Sequence, residues 1–375
     1  MPDVVVLQRV VPHYRLPLWR GLHEQHGWHV VCAANPPGDT HLHLENSDAP
    51  FIHRYPFGSV SLLGRSIVVP PLGRILKDLR PRVIVAEFSL AMLSTWELAL
   101  RRLILGQPRV AFHTHGFNME RGFRTWTDRL MQLIRIPLYR ASDHVLCYSD
   151  EGRDFVIKYL PAGKVTTVEN TIDTTNMRAL RGQQPREEPR GSPRLLSIGR
   201  LTADKDFPRL VRVFRSLVKD LPDAKLVIIG EGPERARIEQ AASDLLNTRI
   251  FLPGAIYDDE TNAAYFNWAD LVVFAGAVGL SVNHALAYGV PVIAYARMED
   301  GPAHHPEIAY VVDGVTGVVV KKYTELALRE ALIHAVVGGM SPRERYGPNI
   351  NDFVAQNLNM SNVICNFHRA FSAIL

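Results

Sequence analysis

The chain alternates short runs of apolar, β-branched residues with longer stretches whose apolar positions recur every three or four residues. In the first half, residues 4–7, 29–33, 83–86, 110–112, 144–148 and 166–168 read as strands. In the second half, 195–198, 225–229, 249–251, 271–274, 290–294 and 317–320 do the same. Continuous apolar strands separated by helix-length segments predict parallel sheets covered on both faces. The pattern therefore predicts an α/β, doubly wound fold, formed twice.

The pattern breaks at 181–193, RGQQPREEPRGSP, which is polar, proline-rich and without periodicity. That composition predicts a linker or mobile loop. It separates an N-terminal Rossmann-like domain, residues 1–180, from a C-terminal one, residues 194–350. Residues 351–375 read as one C-terminal helix that packs back on the N-terminal domain through Phe353, Leu358, Val363, Phe367 and Phe371. Two such domains facing across a cleft would hold a ligand at their strand ends.

At 375 residues the length itself calls for two cores. A composition of 47% hydrophobic and 21% charged residues is that of a globular chain. The odd trio Cys32, Cys147 and Cys365 has no metal-ligand spacing and fits small buried hydrophobes in a reducing compartment. The opening MPDVVVLQRVV runs straight into a strand, and no uncharged run is long enough to span a bilayer. A cytoplasmic protein is expected, at most peripheral to the inner face of a membrane.

The net charge of +4 is uneven: residues 1–185 carry 22 Lys+Arg against 16 Asp+Glu, and the remainder 20 against 22. The basic half suits an anionic partner. Nucleic acid is not expected, because no basic run or reading motif accompanies the charge. Residues 121–142 carry Phe123, Trp126, Leu130 and Leu133 at helical steps among Arg121, Arg124, Arg129, Arg135 and Arg140. Such a basic amphipathic helix suits an anionic membrane surface, or packs on its own domain.

Candidate chemistry concentrates between Leu195 and Gly289. Gly199 follows a strand and lets backbone approach a ligand. Arg200 can fork across two phosphate oxygens, and Lys205 adds a point charge five residues on. IIGEGPE places Gly230 and Glu231 in a tight strand-to-helix turn, and Gly279 to Gly289 repeats the design. Three such turns at successive strand ends suit a nucleoside diphosphate. The acidic run Asp258–Asp259–Glu260 has no metal-ligand spacing, and no GxSxG, HExxH, CxxC or P-loop motif occurs.

The segments GRLTADKDF, KLVIIGEGPE, FNWADLVVF and GLSVNHALAYGVPVIA, in this order and spacing, resemble the donor-binding domain of glycosyltransferase family 4. DHVLCYSDEGRDF and VTTVENTID match the end of that family's first domain. VVPHYRLPLWRGL, EFSLAMLSTWELAL and FHTHGF resemble a polysaccharide-biosynthesis branch. The resemblance covers roughly residues 1–320. It implies a GT-B fold and a retaining, metal-independent transfer of sugar from a nucleotide-sugar donor to a lipid- or saccharide-linked acceptor. The nucleotide sugar is a co-substrate, and no cofactor or metal is expected.

By that resemblance Arg200 and Lys205 match the diphosphate-binding pair, and His115 a first-domain histidine near the donor sugar. Gly199, Gly230, Glu231, Gly279, Leu280 and Ser281 fall on the donor-binding turns. Two positions, eight apart, at which the family usually carries glutamates hold Gly276 and His284. His284 can still hydrogen-bond a ribose, whereas Gly276 offers only backbone. Glu307, in HHPEI, matches a further family glutamate, and it and His304 or His305 could supply polar contacts to the sugar. His113 could face the same way as His115 along its strand. His13, Tyr14 and Arg15, after the first strand, are expected at the acceptor. Loss of the glutamate pair keeps an inactive scaffold subunit as an alternative, and the shared fold keeps a nucleotide-sugar epimerase as another.

Overall fold

The computed structural model describes residues 2–34, 49–62, 64–118, 125–183, 186–337, 339–372 and 374. The chain divides into two units, Met1–Asp173 with Met360–Leu375, and Thr174–Asn359.

In the first unit the strands are β1 (Val4–Leu7), β2 (His29–Ala33), β3 (Ile52–Tyr55), β4 (Gly58–Leu62), β5 (Arg65–Val69), β6 (Val83–Glu87), β7 (Arg109–Thr114), β8 (His144–Cys147) and β9 (Val165–Thr167). Seven form a parallel sheet in the order β3-β2-β1-β6-β7-β8-β9, and β4 and β5 form a separate antiparallel pair. Val5, Leu7, Ile84, Val110 and Val145 point to one side of the sheet, and Val4, Val6, Val83, Val85 and Ala111 to the other. Each face therefore has its own apolar layer, as a doubly wound sheet requires.

The second unit holds β10 (Arg194–Ile198), β11 (Lys225–Ile229), β12 (Ile250–Gly254), β13 (Leu271–Phe274), β14 (Val292–Tyr295) and β15 (Gly317–Val320). They form a six-stranded parallel sheet in the order β12-β11-β10-β13-β14-β15. Val227, Ile229, Val272 and Ala294 face one core, and Leu226, Ile228, Val273 and Ile293 the other. In both sheets the first strand is flanked by strands from both directions of winding, β2 and β6 around β1, β11 and β13 around β10. The order reverses there, and the loops leaving the two adjoining strand ends diverge.

Every strand expected from the apolar runs is present; five have the expected ends and the other seven differ by at most three residues at an end. β3, β4 and β5 were not expected. Three further differences concern the connections. The segment 181–193 is not a free linker: Gly182 N–H donates to Asn267 Oδ1 (2.9 Å), Trp268 Nε1 to the Pro189 carbonyl (3.0 Å), and the Arg186 guanidinium lies 4.4 Å from the centre of the Tyr265 ring. These bonds fasten it to the second unit, and the division falls earlier, at Asp173. Residues 351–375 are not one helix. Helix Pro342–Asn357 ends before a second, Met360–Ser372. Phe353 and Leu358 pack in the second unit, whereas Val363, Phe367 and Phe371 pack in the first. Cys32 and Cys147 are buried as expected, but Cys365 is exposed.

Residues 121–124 of the expected basic helix lie outside the described residues; the helix described is Trp126–Arg140. Thr125 and Asp128 close a capping box at its start. Among the described residues no helix is long and apolar enough to cross a membrane. Nor do they contain a group of three or more His, Cys, Asp or Glu that could hold a metal ion.

Candidate functional site

The loops after β10 and β13 meet at the reversal point of the second sheet. The first carries Gly199, Arg200 and a short turn at Ala203–Lys205, and the second carries Gly276 to Leu280. They are stitched together: Ala277 N–H donates to the Asp204 carbonyl (2.8 Å), and Lys205 Nζ donates to the Ala277 carbonyl (2.7 Å). A Cβ at Gly276 would collide with the carbonyl groups of Asp204 and Lys205. The position thus holds glycine because loop backbone fills the space a side chain would need, which accounts physically for the absent carboxylate.

Lys205 is 14% exposed and lies 3.7 Å from Asp204 Oδ2. Burial pulls its ammonium below the usual lysine value; Asp204 opposes that, Arg200 adds to it, and Glu307 opposes it. Its Nζ would sit 3.9 Å from a Cβ on Gly279, and His305 Cδ2 3.8 Å from the same point. The lysine therefore points at the turn before helix Ser281–Ala287, with Leu280 and Ser281 next along the chain. Arg200, by contrast, is exposed, and its side chain makes no hydrogen bond or ion pair among the described residues. One cation is held in place, and the other is free to fold onto a ligand.

The remaining expected donor residues fall in different places. Gly230 and Glu231 follow β11, and the Glu231 carbonyl accepts from Leu201 N–H (2.9 Å). The Glu231 carboxylate is committed to Arg235 (2.5 Å), so its contribution to this loop is backbone. Glu307 is 1% exposed and close enough to Lys205 to act on its charge. The His284 ring stacks at 6.2 Å on Phe266. The acidic run serves locally, since Asp258 caps helix Asp259–Trp268 by accepting from Thr261 N–H (2.7 Å).

Of the pair His304 and His305, the first has a defined task. His304 is fully buried, and its Nδ1 accepts from Val278 N–H (3.1 Å). Burial, and then the Arg297 charge, push its pKa down to about 3, so the ring is neutral with its proton on Nε2. Arg297 in turn donates to the His304 carbonyl (2.7 Å). His304→Ala should cost about 2 kcal/mol, because Val278 N–H is left buried without an acceptor. His304→Asn, whose Oδ1 can accept instead, should recover part of that in urea denaturation. The unfolded histidine binds a proton that the folded one refuses. Its contribution is therefore full above about pH 6.5 and lost as pH falls towards 3.

The first unit gathers a second cluster at the C-terminal ends of its strands. The rings of His113, on β7, and His115, just past it, lie 4.0 and 4.4 Å from the ring of Tyr148, which follows β8. The Arg15 guanidinium sits 4.9 Å from the same ring and donates to Asn170 Oδ1 (2.7 Å). Burial, then Arg15 and His115, hold His113 well below the usual histidine pKa. Burial pushes the Tyr148 hydroxyl up to about 12. The His115 turn is rigid: Gly116 has φ +83°, its carbonyl accepts from Tyr139 OH (3.0 Å), and a Cβ there would strike the Gly152 backbone.

His115 and the expected acceptor residues thus share one cluster, but not equally. His13 is exposed and edge-on to Tyr14 at 5.9 Å, Tyr14 is half-buried, and Arg15 is buried. Arg15 braces the cluster rather than presenting a free guanidinium. Sequence reasoning did not single out Tyr148 or Asn170. Both lie within the quoted segments DHVLCYSDEGRDF and VTTVENTID, directly after strands, where side chains at the sheet's C-terminal edge are placed for ligands.

Two Rossmann-like sheets, each with its polar cluster at the C-terminal strand ends, define the class as a two-unit nucleotide-fold protein. Residues 18–176 match the model of Glycosyltransferase Family 4, and residues 181–352 that of Glycosyl transferases group 1. Together these matches cover most of the chain. The chain belongs to the family 4 type of glycosyltransferases, whose fold is GT-B. It is 26% identical over 226 residues to the alpha-monoglucosyldiacylglycerol synthase of Streptococcus pneumoniae, 56% of this chain and 50% of that one. The match thus spans only half of that relative's length. It is 29% identical over 280 residues to a GDP-mannose-dependent alpha-mannosyltransferase of Mycobacterium tuberculosis, 71% of this chain and 69% of that one. The Anabaena protein HepE, crystallised with UDP and glucose, shares the fold with a TM-score of 0.67 at 14% identity, covering 99% of this chain and 100% of that one.

Proposed function

We propose that the protein transfers a sugar from a nucleoside-diphosphate sugar to a lipid- or saccharide-linked acceptor, with retention at the anomeric carbon. The observation that carries this reading is the stitched pair of loops that fixes Lys205 while leaving Arg200 free. A fixed cation is matched to charge that develops on a leaving diphosphate, and a mobile guanidinium can close over it bidentately. The relatives add support, since their names specify glucosyl and GDP-mannose-dependent mannosyl transfer, and HepE was crystallised with UDP.

In the proposed reaction the bond between the anomeric carbon and the diphosphate oxygen breaks. The acceptor oxygen bonds to that carbon on the same face, and its proton passes to the departing phosphate oxygen. Lys205 and Arg200 stabilise the negative charge on the diphosphate throughout. No protein nucleophile is required. Glu307 and His305, beside Lys205, are the groups proposed to contact the transferred sugar. His13 and Tyr14 are proposed to serve the acceptor, and His115 the transferred sugar.

The test is thermal stabilisation by a panel of nucleoside diphosphates and nucleotide sugars, since a ligand that binds only the folded state raises the midpoint. At least one diphosphate should stabilise the protein, and Arg200→Ala should weaken its binding about tenfold. Absence of binding to every member, or unchanged affinity in Arg200→Ala, would count against the reading.

A further inference from the structure

Asp206 stands directly after Lys205 with φ +44° and ψ +45°, in the left-handed region. A residue other than glycine stays there only where its surroundings hold it. The conformation serves two neighbours at once. Asp206 N–H donates to the Ala203 carbonyl (3.3 Å) and closes the turn that carries Lys205. Its Oδ1 accepts from Arg209 N–H (3.3 Å) and caps helix Phe207–Leu217. The chain thus reverses at the residue that joins the lysine turn to the helix.

The other carboxylate oxygen reaches further. Oδ2 accepts from Arg209 Nε (2.7 Å) and from Tyr323 OH (3.3 Å). The Arg209 guanidinium in turn lies 3.9 Å from the centre of the Tyr323 ring. Tyr295 stands edge-on to that ring at 4.7 Å, and its hydroxyl donates to the Thr324 carbonyl (2.8 Å). Tyr295 ends β14 and Tyr323 follows β15, so the network ties the loop after β10 to the ends of the two strands beyond β13. Asp204, Arg200 and Glu307 are the charged groups that act on the Lys205 ammonium. The Asp206 carboxylate is committed to Arg209 and Tyr323 instead. Lys205 is therefore held at two ends, its Nζ by the Ala277 carbonyl and its backbone by this network.

The geometry points to Asp206 as a positioning residue: through Arg209 and Tyr323 it fixes the turn from which Lys205 reaches the diphosphate. This rests on the reading of Lys205 as the diphosphate's fixed cation, but the placement of the lysine can be tested without a ligand. Trace acetylation by acetic anhydride across a pH series, read by mass spectrometry, gives the titration midpoint of Lys205 in the folded chain. Wild type should titrate below the usual lysine range, because the ammonium is buried. Asp206→Gly allows the same backbone conformation and removes every side-chain tie. Its Lys205 midpoint should rise towards the ordinary value as the turn loosens and admits water. Its affinity for UDP or GDP should fall about tenfold. Asp206→Asn suits the left-handed region and keeps one acceptor oxygen, so it should recover part of both. Arg209→Met reaches the network from the helix and should reproduce the glycine variant. A merely structural role would lower the unfolding midpoint of Asp206→Gly and leave the Lys205 titration in place, which overturns the inference. An ordinary Lys205 midpoint already in the wild type overturns it as well. If the wild type binds neither UDP nor GDP, it is the donor reading that fails, and the labelling alone decides the place of Asp206.

Discussion

Lys205→Ala is expected to lower kcat/KM by at least about 100-fold, the usual loss when a fixed charge-stabilising donor is removed. The size follows from the way the ammonium is held. It is mostly buried, fixed on the Ala277 carbonyl, and aimed at the Gly279 turn. No reorganisation is then needed as charge moves onto the leaving group. The fold should lose only about 1 kcal/mol, one hydrogen bond to a backbone carbonyl. Lys205→Arg should not rescue, because a planar fork cannot occupy the place of a compact ammonium between two loops. A pH profile separates charge from structure. Burial lowers the Lys205 pKa, so the wild-type kcat/KM should fall on the alkaline side below the usual lysine range as the ammonium loses its proton. The Lys205→Ala profile should lack that limb. A variant within a few-fold of wild type would remove Lys205 from the reaction.

The residues of that loop were readable because glycine after an apolar strand, followed by cations, is a local signal. The first unit's cluster was not local in this sense. Arg15 and Asn170 are 155 positions apart and meet only because β1 and β9 lie in one sheet. Strand legibility followed burial. Most central strands carry runs of three or more apolar residues and declare themselves, whereas β3 reads IHRY and lies at the sheet's edge, with only Tyr55 buried. The β4–β5 pair stands outside the main sheet; β4 reads GSVSL, with serines between its apolar residues, and β5 carries an apolar run of only three, residues 67–69. At the C-terminus the apolar spacing was correct, but periodicity cannot say which of two cores each residue joins. The break after Asn357 sends Leu358 to one core and Val363 to the other.

Gly276 shows a different limit, and yields the second large effect. By resemblance the position lacks a carboxylate; in space it has no room for one. Restoring it as Gly276→Glu should therefore damage the protein rather than improve it. The new Cβ drives apart the Asp204–Lys205 and Ala277 backbones, breaking the bonds of 2.8 and 2.7 Å between them. Two hydrogen bonds and overpacking together should cost about 3 kcal/mol, or roughly 6–12 °C in the midpoint of a unit this size. Lys205 loses its anchor at the same time, so diphosphate binding should fall with stability. Gly276→Ala isolates the steric part and should show most of the loss. Gly279→Ala is the matched control: its Cβ meets only ordinary contacts, at 3.8 and 3.9 Å, so the fold should tolerate it. It nevertheless stands before the Lys205 ammonium and should weaken diphosphate binding without lowering the midpoint. A stable Gly276→Glu protein with faster turnover would mean that the loops yield readily, and that a carboxylate, not space, was what this position lacked.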